Sequence, residues 1–89
     1  MLNVLNRDLS EKTKAIRKRN YVPANIHSTK LENTIPVEVH VTDFKRFVDA
    51  NKHLNTFEVK LDDIVMNCRI SEVQIDSIEG YIHIDFVLV

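Results

Sequence analysis

The sequence predicts a mainly β protein, a small six-stranded β-barrel (five to seven strands) with one or two short helices. Three observations carry this. Apolar and polar residues alternate in short runs, most clearly in IPVEVHVT (35–42) and YIHIDFVLV (81–89). Turn-forming residues separate the runs at short intervals. The chain has 89 residues, a length at which a domain hides only about 60–65% of its unfolded surface. Closing a short sheet into a barrel then removes edges that would otherwise stay exposed. No repeat, linker or low-complexity segment divides the chain, so residues 1–89 read as one domain.

LNVL (2–5) is a short first strand. SEKTKAIRKRN (10–20) has helical character, with Ser10 as its expected cap. Ala15 and Ile16 are its only apolar residues, so it offers no broad face to a core. Pro23 holds Val22 extended, and VPANI reads as a turn into a strand. In IPVEVHVT, Ile35, Val37, Val39 and Val41 face in, while Glu38, His40 and Thr42 face out. TDFKRFVDANKHL (42–54) follows as a helix, capped by Thr42 or Asp43, with Phe44, Phe47 and Val48 on one face. FEVKL buries Phe57, Val59 and Leu61. Asp62 and Asp63 make a tight turn, and IVMNCRI buries Ile64, Met66, Cys68 and Ile70. A reversal at DSIEG leads into the last strand. Gly80 is the single glycine, so Asn, Asp and Ser must serve the other turns, with Asn20 in a glycine-like role.

The composition narrows the function. A hydrophobic share of 44% and a charged share of 28% fit an ordinary globular protein. No apolar run approaches the roughly 20 residues of a membrane span, and the N-terminus lacks a secretory pattern. One cysteine cannot form an internal disulfide, which agrees with a reducing, cytoplasmic setting. The net charge of −1 is unevenly spread, at +5 over residues 1–30 and −6 over residues 31–89. Such a split suggests a polyanion partner for the basic segment, or simply a solvated face.

Reactive constellations are missing. The four histidines are far apart, no Cys-x-x-Cys pair exists, and no glycine-rich phosphate loop appears. Cys68 falls on an inward strand position and reads as a space-filling thiol. We therefore expect no enzyme, no cofactor, no metal and no small-molecule substrate. The last strand is less ordinary. Ile82, Ile84, Phe86 and Leu88 share one face, and Tyr81, His83 and Asp85 share the other. If 70–75 and 81–87 pair as a hairpin, Gln74 comes near His83 and Asp85. Amide, imidazole and carboxylate together offer the mixed donors and acceptors that read base edges or ribose hydroxyls. The alternative is a polar face that is merely solvated.

The segment EVQIDSIEGYIHIDFVLV (72–89) resembles the C-terminus of the "L twenty-five" family of bacterial large-subunit ribosomal proteins, which bind 5S ribosomal RNA. That family shows a DVQ strand, a turn, then HVDF or HIDF. IRKRNYVPANI (16–26) is similar to the family's LR…G..PA..YG, and PVEVHVTDFKRFV fits its strand-then-helix step. The resemblance implies a small β-barrel that lays a basic loop-helix and one barrel face against RNA. Arg17 matches the Arg of LR, with Lys12, Lys14, Lys18 and Arg19 around it. Gln74 matches the Gln of DVQ, and His83 and Asp85 match HIDF. The resemblance thus implies 5S ribosomal RNA as partner, with neighbouring large-subunit proteins beside it, in the cytoplasm and on the ribosome. His27 and Ser28 replace the family's YG, and Asn20 replaces its glycine. These departures, with the acidic remainder, leave open a paralogue with the same barrel that acts as a stress-related or protein-interaction module.

Overall fold

The alternating runs form strands, and the strands close on one another. The computed structural model describes residues 1–28 and 34–89; Lys30, counted above in the basic segment, lies outside them. Six strands and two helices follow in the order β1 (Leu2–Asn6), α1 (Thr13–Lys18), β2 (Tyr21–His27), β3 (Ile35–His40), α2 (Val41–Ala50), β4 (Phe57–Leu61), β5 (Ile64–Asp76) and β6 (Gly80–Leu88). They make a closed barrel in the order β1-β3-β2-β6-β5-β4. Two neighbouring pairs, β1 with β4 and β2 with β6, run parallel; the others are antiparallel. Closure leaves no open sheet edge among the described strands.

The inward positions fill the barrel. Leu2, Val4, Val22, Ala24, Ile26, Val37, Val39, Val59, Cys68, Ile84 and Phe86 form one buried cluster with Phe44 and Leu61. Helix α2 packs onto it through Phe44, Phe47 and Val48, as its apolar spacing predicts. Aromatic rings meet edge to face along this seam, with Phe47–Phe57 centroids 4.9 Å apart and Phe57–Phe86 centroids 6.1 Å apart. Burial pushes the Cys68 thiol above its ordinary pKa, as expected for an inert space-filling group.

The turns use the residues expected of them. Asn20 has φ 67° and Asp62 has φ 54°, both in the left-handed region, and Gly80 has φ 81°. Leu61 pairs with Ile64 across Asp62 and Asp63, a two-residue hairpin turn. Between β5 and β6, Asp76 Oδ1 accepts from the backbone N–H of Ile78 at 2.7 Å and of Glu79 at 2.9 Å.

Several local expectations are corrected. The phase of β6 is broken at Ile82. Gln74 lies opposite His83, and Ile75 lies opposite Tyr81, so Ile82 is an extra residue in a bulge. Tyr81 therefore packs on the core beside Phe44, with ring centroids 5.6 Å apart, while Ile82 does not join the core. Ile64 is 61% exposed, because it sits where the β4–β5 hairpin turns beyond the inner layer. Val41 opens α2 instead of extending β3, and α2 ends at Ala50. Neither helix has a side-chain cap: His40 and Lys12 hold the N-cap positions, and Ser10 bonds Asp8 instead. Helix α1 also has an apolar anchor after all, since Ile16 is fully buried.

Candidate nucleic-acid interface

Two surfaces carry the residues singled out by the sequence. The first is the outer face of β2, β6 and β5. Cross-strand pairing sets Gln74 directly opposite His83 and Glu72 opposite Asp85, and β2 sets Asn25 beside Asp85. Directly opposed residues project to the same side of a sheet. The bulges at Ser71 and Ile82 change the register on either side of this block, so Gln74, His83 and Asp85 share a face only between them.

Their contacts are specific. Asn25 Nδ2 lies 3.3 Å from His83 Nε2. His83 Nδ1 lies 3.6 Å from Asp85 Oδ1. The His83 and Asp85 side chains are 24% and 26% exposed, which leaves hydrogen-bonding capacity open to a partner. Asp85 supplies acceptors only; Gln74 and Asn25 supply both donors and acceptors. Asn25 is a residue that reading β6 and β5 alone misses. Its signal was the parallel pairing of β2 with β6, which a single sequence does not display.

The second surface is α1. Lys12, Lys14 and Lys18 are exposed and have no ion-pair partner among the described residues. Arg17 is partly buried, with Nη2 3.6 Å from Glu79 Oε2. Arg19 differs from the rest. Its guanidinium binds both oxygens of Glu38 at 3.0 and 3.2 Å and both oxygens of Glu11 at 2.8 and 3.0 Å. It also lies over the Tyr21 ring, 5.1 Å from the centroid. The Glu11 and Glu38 carboxylates raise the Arg19 pKa, and the hydrogen bond from Arg19 lowers that of Glu11. Glu38 is 4% exposed on the outward side of β3, and Arg19 is the cation that neutralises it. Arg19 therefore ties α1 to the barrel wall, whereas Lys14, Arg17 and Lys18 share one side of the helix and Lys12 stands exposed at its N-cap. The two surfaces meet through β2, against which α1 packs, and through the β5–β6 turn that contacts Arg17.

The barrel, the polar strand face and the adjoining basic helix agree with one further finding: the model of the Ribosomal L25p family matches residues 2–86. The chain belongs to the Ribosomal L25p family. Membership implies a ribosomal protein that binds 5S rRNA, in a family of structural and non-enzymatic members. Among individually curated proteins, none matches this chain. As a member of the Ribosomal L25p family, the chain presents no cluster of His, Cys, Asp and Glu suited to a metal ion among its described residues. No helix among them is long and apolar enough to cross a membrane.

Proposed function

We propose that this protein binds 5S ribosomal RNA as a structural component of the bacterial large ribosomal subunit, in the cytoplasm and beside neighbouring subunit proteins. Lys12, Lys14, Arg17 and Lys18 hold phosphates, and Gln74, His83 and Asp85 read the RNA by hydrogen bonds. Arg19 positions α1 for those contacts. The observation that carries the reading is the ordered polar cluster on the β2–β6–β5 face. A surface that only attracted phosphate would place cations there; this one places the carboxylates of Asp85 and Glu72, an imidazole and amides. An RNA supplies the complementary donors through exocyclic amines and 2′-hydroxyls.

The test rests on a sign. If Asp85 accepts hydrogen bonds from RNA, Asp85→Ala weakens binding although it removes a negative charge. Loss of a charged hydrogen bond costs on the order of 1.5–3 kcal/mol, against less than about 1 kcal/mol for relief of a surface repulsion. The measurement is affinity for 5S rRNA at fixed salt, with His83→Ala and Gln74→Ala alongside. Tighter binding by Asp85→Ala, or no change in all three, makes the face a solvated surface. The acidic balance of −6 over residues 31–89 then favours the same barrel serving as a protein-interaction module.

A further inference from the structure

The β5–β6 turn places a carboxylate where the cationic face of α1 is most concentrated. Lys14, Arg17 and Lys18 stand at i, i+3 and i+4, so they share one side of the helix. With Glu79 they line one shallow depression. A second depression adjoins it, lined by Arg17 and Glu79 again, together with Tyr21, Lys45 and Tyr81. The Arg17–Glu79 pair, 3.6 Å apart, is thus the wall common to both. In the second depression, Lys45 Nζ lies over the Tyr81 ring, 5.7 Å from its centroid.

The Glu79 side chain is not needed to shape its own turn. The turn is fixed by Asp76 Oδ1, which accepts from two backbone N–H groups, and by the left-handed Gly80. Neither contact involves the Glu79 carboxylate, and that side chain is 52% exposed. What the carboxylate does is stand among Lys14, Arg17 and Lys18 with Lys45 beyond the wall, one anion among four cations.

We propose that the two depressions form one nucleotide-binding subsite, in which Glu79 occupies the place of an RNA phosphate. A phosphodiester takes the position between Lys14, Arg17 and Lys18, and the adjoining nucleoside lies against Lys45 and Tyr81. Binding exchanges one singly charged anion for another, so Arg17 keeps a partner in both states. The cost is competition: RNA must displace Glu79 before it gains the Arg17 contact. This inference rests on RNA being the partner and names one place where it sits.

Two measurements on the full chain test it. The first compares affinities for 5S rRNA of the wild type and Glu79→Gln at two salt concentrations. The variant binds about two- to five-fold tighter, as removal of a surface ion pair allows. Its log–log salt slope steepens by up to about 0.7–0.9, the contribution of one additional phosphate contact. Lys45→Gln weakens binding. The second follows backbone amide shifts on titration with adenosine monophosphate. Shifts gather at Arg17, Lys45 and Tyr81, and Glu79→Gln saturates at lower nucleotide concentration. Equal or weaker 5S rRNA binding by Glu79→Gln, or a nucleotide response that Glu79→Gln leaves unchanged, overturns the subsite. A wild type that ignores 5S rRNA while the nucleotide titration behaves as described overturns the RNA assignment and leaves the subsite standing.

Discussion

Phe86 is fully buried and packs edge-on to Phe44 and Phe57, with centroid separations of 6.5 and 6.1 Å. Asp85, one residue earlier, faces outward beside His83. Phe86→Ala is expected to cost about 3–5 kcal/mol, whereas Asp85→Ala changes the stability of the free protein by less than about 1 kcal/mol. Urea melts of the two variants check this; the reverse order would place β6 in the opposite phase. The alternation of Ile84, Asp85 and Phe86 was legible in the sequence because nothing interrupts the pleat there. Tyr81 and Ile82 were not, because one bulged residue exchanges the faces of everything before it. The role of Arg19 was equally hidden. A basic run looks uniform along the chain, and only the fold brings Glu38 of β3 to one of its members.

At the scale of elements, α1 is a six-residue helix, too short to persist by itself in water. It is held by buried Ile16 and by the Arg19 pairs with Glu11 and Glu38. Arg19→Ala is expected to lower the melting temperature more than Lys18→Ala, since Lys18 is exposed and has no ion-pair partner among the described residues. The pairing also has a pH signature. The hydrogen bond from Arg19 holds the Glu11 carboxyl below its ordinary pKa in the folded state. Its contribution is complete above the unfolded value of about 4.3 and is lost as pH falls through the depressed folded value. Asp8 and Asp76, lowered by hydrogen bonds from Ser10 and from the Glu79 and Ile78 backbone, act in the same direction. Melting temperatures taken between about pH 5 and pH 3 should fall for the wild type and fall less steeply for Arg19→Ala. Parallel curves would show that the Glu11 contact does not persist in solution. Helix existence was legible from composition and spacing; helix ends were not. The expected caps at Ser10, Thr42 and Asp43 failed because Lys12 and His40 begin the helices directly from extended backbone.

For the whole molecule, a barrel followed from strand number and chain length. The strand order did not follow. Parallel pairing of β1 with β4 and of β2 with β6 is long-range, and local alternation carries no trace of it. That order is what brings Asn25 to His83 and sets α1 next to the polar face, so half of the proposed interface could be read from sequence and its assembly could not. Part of the charge split survives as geometry: Lys14, Arg17 and Lys18 of the basic first segment lie on α1. The central claim is that these two surfaces together recognise 5S rRNA. Its most direct test is the affinity of the wild-type protein for 5S rRNA and for a transfer RNA, each measured across a range of salt. Phosphate contacts from Lys12, Lys14 and Lys18, with that of Arg17 offset by the release of Glu79, predict a log–log slope of about −2 to −3. The polar face predicts tighter binding to 5S rRNA than to transfer RNA at every salt concentration. Equal affinity for the two RNAs, or binding to neither, would contradict the account.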